Sequence, residues 1–158
     1  MSRKKHRIER FIAPDAVYGD VLISKFINCL MLDGKKSVAE KIVYNALEKL
    51  KAEAEKYEKT VVMLFHEVVT KLKPSFRLKA KRVGGATYRV PAAIQDYAAV
   101  AASLKLIVTA VRSKSGKPAG DILYSELKNV LNGEGDAVKK KNEFDKAIES
   151  SKAFANFA

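Results

Sequence analysis

Residues 71–91 constrain the fold of this chain more than any other stretch. They read KLKPSFRLKAKRVGGATYRVP and contain seven Lys or Arg residues but no Asp or Glu. Val, Thr, Tyr and Phe flank the Gly84-Gly85 pair, and a two-residue primed turn needs positive φ at both of its central positions. The sequence therefore predicts a β-hairpin across residues 76–90 with a strongly basic surface.

The turn also fixes the pairing of the two predicted strands. With the two glycines at the tip, the predicted pairs are Val83 with Ala86, Lys81 with Tyr88, and Lys79 with Val90. Neither face of this hairpin is apolar enough to be buried, and an isolated hairpin is marginally stable in water. We therefore expect the hairpin to project from the domain and to bind a partner.

The charge of the hairpin favours a polyanionic partner. Arg and Lys bind phosphate oxygens, and Tyr88 is available to stack on a base or to contact a ribose. The alternative is an edge hairpin whose charges only prevent aggregation, but one or two charges suffice for that purpose.

The chain as a whole is also strongly basic. Its 30 Lys and Arg against 18 Asp and Glu give a net charge of +12, which favours a nucleic acid or an anionic membrane as the partner.

The sequence argues against a membrane protein and against a cysteine-based site. The longest nearly uncharged apolar run, residues 97–111, is interrupted by Lys105 and is shorter than the ~20 residues that span a bilayer. The basic N-terminus lacks the apolar segment of a signal peptide. Cys29 is the only cysteine, so neither an intrachain disulfide nor a cysteine-based zinc site can form. We expect a soluble intracellular protein.

Apolar residues recur every three or four positions on both sides of the hairpin, which indicates helices. The expected helices are residues 20–32, 36–53, 60–73, 91–112 and 118–131, followed by a C-terminal helix. Asp20 is expected to cap the first helix, and Pro91 to lie in the first turn of the fourth. Residues 54–60 are expected to form a charged linker.

The fold expected from these elements is mainly α. It is a single domain of about six helices with a protruding basic β-hairpin and a flexible basic N-terminal arm. The arm is residues 1–13, the helical core residues 14–135, and the C-terminal helix or tail residues 136–158. The fourth helix is expected to be central, with an inward stripe of Ile94, Tyr97, Ala101, Leu104, Val108 and Val111. The C-terminal helix has only a weak apolar stripe, so we expect it on the surface.

Several separated basic clusters are candidates for contact with one large nucleic acid. The candidates in the hairpin are Arg77, Lys79, Lys81, Arg82, Gly84, Gly85, Tyr88 and Arg89. The candidates elsewhere are Arg3, Lys4, Lys5, Arg7 and Arg10 in the arm, Lys35 and Lys36, Arg112, Lys114 and Lys117, and Lys139, Lys140 and Lys141. The arm could instead be a solubilising tail, and the loop at Lys35 a plain turn between helices.

No arrangement in the sequence predicts an enzyme, a cofactor or a metal site. His66 lies beside Glu67 but is accompanied by no nucleophile. His6 has no second metal ligand nearby. The Asp33-Gly34-Lys35-Lys36-Ser37 stretch departs from a nucleotide-binding loop, because Lys36 separates Gly34-Lys35 from the serine and no glycine lies five residues upstream.

Three segments in order carry a resemblance to a known family. They are DGKKSVAEKIVYNAL from position 33, RVGGATYRVP from position 82, and AVKKK from position 137 with KAFA near the end. Together they resemble the bacterial type of small-subunit ribosomal protein seven over nearly the whole chain. The sequence departs from the usual pattern of that family at Asp96-Tyr97, at Lys105-Leu106 and in the C-terminal helix.

The resemblance implies a structural protein of the small ribosomal subunit in the cytoplasm. By this resemblance it binds the 3′ major domain of small-subunit ribosomal RNA and nucleates assembly of the head. The hairpin would lie near exit-site transfer RNA and messenger RNA, and the neighbours would be small-subunit proteins nine, eleven and thirteen. Lys35, Lys36, the hairpin and residues 139–141 become RNA contacts by position.

A DNA-binding regulator of the winged-helix type is the alternative. Helix pairs with a basic wing describe that class too, but it requires one helix that exposes polar, base-reading side chains. The apolar stripes leave no such helix obvious, and the basic residues lie in loops and the hairpin instead.

Overall fold

The chain is described by a computed structural model for residues 11–153, in which six helices surround a hydrophobic core and one hairpin interrupts the helical order. The helices are α1 (Val21–Leu30), α2 (Lys36–Lys56), α3 (Val61–Leu72), α4 (Asp96–Arg112), α5 (Ala119–Leu131) and α6 (Asp136–Ser150). The hairpin strands β1 (Phe76–Val83) and β2 (Ala86–Ala93) lie between α3 and α4. The predicted fold class is confirmed. The first ten residues of the predicted arm lie outside the described residues.

Side-chain caps begin α1 and α3 where the sequence placed them. Asp20 Oδ1 accepts a hydrogen bond from the Ile23 N–H at 2.9 Å, and Thr60 Oγ1 accepts one from the Met63 N–H at 3.3 Å. Such caps satisfy amides that have no partner within the helix. The local sequence therefore determines where these two helices begin.

Removing the Asp20 cap should destabilise the protein. Its second carboxylate oxygen lies 2.8 Å from His66 Nε2, so Asp20 also joins α1 to α3. We expect Asp20→Ala to lower the free energy of unfolding by about 1–2 kcal/mol, measured by urea denaturation. Asp20→Asn keeps a capping oxygen and should lose less. Equal losses in the two variants would contradict the assignment of the cap.

Helix α2 extends three residues further than expected. Residues 54–56 are helical and Ala54 is buried, so the predicted linker is wrong for these three residues. Glu53, which was predicted to be the last helical residue, is also buried. The charge of Glu53 is satisfied across the interface with α5, where its Oε1 accepts a hydrogen bond from Lys128 Nζ at 2.7 Å. Because that partner is 75 positions away, the sequence near Glu53 gave no sign of burial, and its charged residues suggested a solvent-exposed segment.

The prediction that Pro91 begins the fourth helix is wrong. Pro91 lies in β2 opposite Leu78, and α4 begins at Asp96. In a hairpin closed by the pair Val83 and Ala86, hydrogen-bonded and non-hydrogen-bonded pairs alternate, and Pro91 falls on a non-hydrogen-bonded position. Its missing N–H therefore removes no ladder bond, so a proline is tolerated there.

Helix α4 is central, as predicted, because it contacts α1, α3, α5 and α6. Leu104, Val108 and Val111 of the predicted stripe are buried. Tyr97 and Ala101 are exposed instead, and Ile94 is half-buried and precedes the helix, so the stripe is wrong at these three positions. Since the helix begins later than expected, Tyr97 lies in its first turn, beside the hairpin root and outside the helical core.

The core is one cluster drawn from α1 through α6. At its centre the rings of Phe26 and Phe65 lie with centroids 5.3 Å apart at an interplanar angle of 53°, and both side chains are fully buried. Tilted pairs at this distance are favourable arrangements of aromatic quadrupoles. No helix within residues 11–153 is both long and apolar enough to cross a membrane.

Candidate nucleic-acid interface

The hairpin tip has the predicted geometry. Gly84 and Gly85 have φ values of 57° and 89°, so both central positions are left-handed, as a type I′ turn requires. The observed register pairs Val83 with Ala86, Lys81 with Tyr88 and Lys79 with Val90, which confirms the predicted pairing. A Cβ at either glycine would meet no atom within 4 Å, so the turn needs glycine for its backbone conformation and not for space.

The hairpin is packed at its base and exposed towards its tip. Val90 is only 3% exposed, Leu78 and Tyr88 are half-buried, and α6 lies against β1. The expectation that neither face would be buried is therefore wrong at the base. Five basic side chains of the hairpin, which we call the hairpin cations, are all exposed: Arg77, Lys79, Lys81, Arg82 and Arg89.

The charges of the hairpin cations are not compensated by carboxylates among residues 11–153. In the described part of the chain, none of the ion pairs involves any of them. By contrast, two lysines of the same acid-free stretch are paired: Lys71 with Glu67 at 3.1 Å and Lys73 with Asp96 at 2.8 Å. A concentrated positive potential therefore lies on the hairpin itself, while the charges of Lys71 and Lys73 at its root are neutralised.

Lys71 and Lys73 were not predicted to fix the root of the hairpin. Lys73 lies just before β1 and Asp96 just after β2, so their ion pair spans the two ends of the hairpin. Lys71 Nζ also donates a hydrogen bond to the Leu131 carbonyl at 2.7 Å, which ties α3 to the end of α5. The sequence contains no signal for the contacts of Lys73 with Asp96 and of Lys71 with Leu131, because their partners lie 23 and 60 positions away.

Lys35 and Lys36 lie exposed at the start of α2. Asp33 and Gly34 before them have positive φ and turn the chain between α1 and α2. The N-cap residue of α2, Lys35, makes no side-chain capping hydrogen bond, so the amides of the first turn add to the positive charge. Lys36 Nζ lies 3.7 Å from Glu40 Oε1, which is a long ion pair. This corner suits an anion.

Three candidate cations lie between the end of α4 and the start of α5, and two of them make hydrogen bonds with other parts of the protein. Arg112 Nη2 donates a hydrogen bond to the Leu30 carbonyl at 3.1 Å. Lys114 Nζ lies 2.5 Å from Glu126 Oε2 and 3.0 Å from Asp136 Oδ2, and the hydrogen bond to Glu126 raises the pKa of Lys114 above its usual range. Lys117 is exposed.

Helix α6 lies on the surface, as expected, but it is packed against the rest of the domain. It contacts α3, α4, α5 and β1, and of its 15 residues only Ala137 and Ile148 are buried. Lys139 is exposed, whereas Lys140 and Lys141 are half-buried. Lys141 Nζ donates a hydrogen bond to the carbonyl of Lys71 at 2.7 Å, close to the hairpin root.

Glu126 was not predicted to have any role, yet it is fully buried in α5. A signal was present in the sequence, because Glu126 follows Leu123 by three positions and precedes Val130 by four, on the inward stripe of the helix. A charge at such a position requires a partner. The partners lie on other elements and only the tertiary structure identifies them.

The described residues contain no arrangement for metal or covalent chemistry. Within residues 11–153, no group of three or more His, Cys, Asp or Glu side chains could hold a metal ion. Burial raises the pKa of the half-buried Cys29 thiol, which disfavours the nucleophilic thiolate. The predicted contacts Arg3, Lys4, Lys5, Arg7 and Arg10 lie outside the described residues.

Comparison with known proteins gives consistent similarities over the whole chain. The family model described as ribosomal protein S7p/S5e matches residues 2–152. The chain is 43% identical over 155 residues to small ribosomal subunit protein uS7 of Kosmotoga olearia, with 98% of each protein covered. It is 40% identical over 157 residues to the proteins of the same name from Rhodospirillum centenum and Pelagibacter ubique, with 99% of each chain covered.

Proposed function

Because the chain belongs to the ribosomal protein S7p/S5e family, we propose that it binds the 3′ major domain of small-subunit ribosomal RNA and nucleates assembly of the head. Family membership makes it a structural, non-enzymatic and RNA-binding component of the small ribosomal subunit, which acts in translation in the cytoplasm. The finer assignment, to one RNA domain and one step of assembly, is the proposal.

The exposed, uncompensated hairpin cations carry this proposal. Phosphate contacts from Lys and Arg position a protein on RNA without reading its sequence. The exposed lysines at the start of α2 and of α6 add separate positive sites on the same body. Separated sites of this kind recognise the shape of a folded RNA junction, where phosphates from several helices converge.

The projecting tip supports a second part of the proposal. The hairpin lies near exit-site transfer RNA and messenger RNA, with Tyr88 and the turn glycines among the contacts. Small-subunit proteins nine, eleven and thirteen are the proposed protein neighbours. The residues that we propose to contact RNA are those predicted from the sequence, with the exception of Lys114.

A salt titration tests the proposal. If about six to ten phosphates are neutralised, affinity for the 3′ major domain should fall by roughly three to five decades between 50 and 200 mM salt, taking the slope for duplex DNA as an upper limit. Filter binding measures this fall. Duplex DNA of equal length is the control, because a DNA-binding regulator would prefer it. Tighter binding to the DNA at moderate salt would refute the proposal.

A further inference from the structure

One buried carboxylate joins three elements at the start of α6. The Glu126 side chain has no exposed surface, and its Oε1 accepts a hydrogen bond from the Ala137 N–H at 2.8 Å. Its Oε2 accepts one from Lys114 Nζ at 2.5 Å. Glu126 thus connects α5 to the first turn of α6 and to the loop between α4 and α5.

Helix α6 depends on this remote carboxylate because it has no cap of its own. Its N-cap residue is Gly135, which has no side chain that could accept a hydrogen bond from the first amides of the helix. The first amides of a helix lack partners within it, and the positive end of the helix dipole favours a negative charge there. Glu126 supplies the acceptor from a different helix, and its charge adds to that of Asp136 in the first turn of α6.

The backbone at Gly135 is shaped to admit the Glu126 carboxylate. Gly135 has a φ of 103°, and a Cβ at this position would lie 2.9 Å from Glu126 Oε1 and 3.1 Å from the Asn129 Cβ. Both the backbone conformation and the lack of space therefore require glycine. The close approach of α6 to Glu126 therefore depends on glycine at position 135.

Lys114 compensates the buried charge and links it to α6 a second time. Its ammonium group lies between Glu126 and Asp136, the first residue of α6, at 2.5 and 3.0 Å. The hydrogen bond from Lys114 lowers the pKa of Asp136. Lys114 is about one-third exposed, but both carboxylates draw its charged group towards the protein.

The fixed turn carries the lysines that are candidates for RNA contact. Lys139 and Lys140 follow the capped residue Ala137 by two and three positions, within the next helical turn. Any rotation or fraying of this turn would displace both ammonium groups. The geometry of these lysines therefore depends on a side chain that is itself too buried to touch RNA, and Lys139 Nζ also lies 3.4 Å from Asp136 Oδ1.

We propose that Glu126 is a positioning residue for RNA binding, which fixes the lysines at the start of α6, and that Lys114 acts through Glu126 and not by contacting a phosphate. This inference rests on the proposed function. Through this one buried residue, RNA binding depends on the docking of α6.

A set of three variants tests the inference in the full chain. We expect Glu126→Gln to lower affinity for the 3′ major domain about tenfold, the scale of a coupled contact, and to reduce the salt slope. A simple loss of folded protein would weaken binding equally at every salt concentration and leave the slope unchanged. Lys139→Ala with Lys140→Ala should lower the slope by about one for each phosphate that is no longer neutralised.

The triple variant gives the decisive comparison. If Glu126 acts through the α6 lysines, adding Glu126→Gln to Lys139→Ala with Lys140→Ala should weaken binding by less than about twofold further, because the contacts it positions are already absent. A further tenfold loss would overturn the inference. Failure of the unaltered protein to prefer the ribosomal RNA would instead refute the proposed function.

A second variant covers the case in which Glu126→Gln does not fold. Lys114→Gln changes a partly exposed loop residue and keeps a hydrogen-bond donor near Glu126 while removing the charge. As a single substitution, Lys114→Gln should weaken RNA binding. When it is added to Lys139→Ala with Lys140→Ala, it should have little further effect. Equal effects in the two backgrounds would show that Lys114 contacts RNA directly.

Discussion

Replacing Lys81 and Arg82 by glutamate should lower the affinity for the 3′ major domain by about 100-fold or more. A hydrogen bond to a charged group contributes about 1.5–3 kcal/mol, and each 1.4 kcal/mol corresponds to a factor of ten. Both side chains are exposed near the hairpin tip and neither is paired with a carboxylate in the described part of the chain. The variant would no longer bind two phosphates and would gain two repulsive charges, which filter binding at constant salt would measure.

The same substitution should leave thermal stability nearly unchanged. Neither side chain is buried, and relief of repulsion among the hairpin cations offsets the loss of strand propensity. The matched control is Lys41→Glu with Lys51→Glu, which changes the net charge equally on the exposed side of α2. Comparable losses of affinity in the two double variants would show that only net charge matters, and unfolding of the hairpin variant would show that its tip is structural.

Replacing Phe65 by alanine should have the largest effect on stability. The side chain is fully buried against Phe26, and truncation of a buried phenylalanine costs about 3–5 kcal/mol through reduced burial and the cavity left behind. For a chain of this size each kcal/mol corresponds to about 2–4 °C. We therefore expect the midpoint of thermal unfolding, followed by circular dichroism, to fall by about 10 °C.

Phe76→Ala is the matched control for the core variant. Phe76 begins β1 and is 45% exposed, so the same truncation there leaves no closed cavity and should cost below about 1 kcal/mol. At temperatures where Phe65→Ala is still folded, its affinity for RNA should match that of the unaltered chain. A loss of stability no greater than that of Phe76→Ala would contradict the assignment of Phe65 to the core.

Dependence on the buried Glu126 would make RNA binding sensitive to changes far from the RNA. Substitutions at Gly135 or in the loop holding Lys114 would weaken binding by loosening α6, although none of the altered atoms need touch a nucleotide. The hairpin behaves differently, because its cations are presented by a locally determined turn. The two basic regions therefore depend on different parts of the sequence.

Elements whose geometry is set by neighbouring residues could be predicted. Gly84 and Gly85 determine both the turn and the register, and Asp20 and Thr60 begin their helices through bonds to amides three residues away. The apolar periodicity of α1 to α5 likewise identified most of the core. In each case the controlling interaction spans only a few positions, so the pattern is visible in the sequence.

Features that depend on contacts between distant segments could not be predicted. Pro91 fits a helix start and a non-hydrogen-bonded strand position equally well, and only the pairing with Leu78 decides between them. Lys114 read as a surface cation because its carboxylate partners lie 12 and 22 positions further along the chain.

The sequence by itself determined the helical composition, the basic hairpin and the excess of positive charge, because these follow from local backbone preferences and from counting charges. The tertiary structure alone decided which of those charges are free to bind a partner. An ion pair such as Lys73 with Asp96, or Lys114 with Glu126, forms only when the fold brings its two members together. Among residues 11–153, the fold brings no carboxylate into an ion pair with any of the hairpin cations.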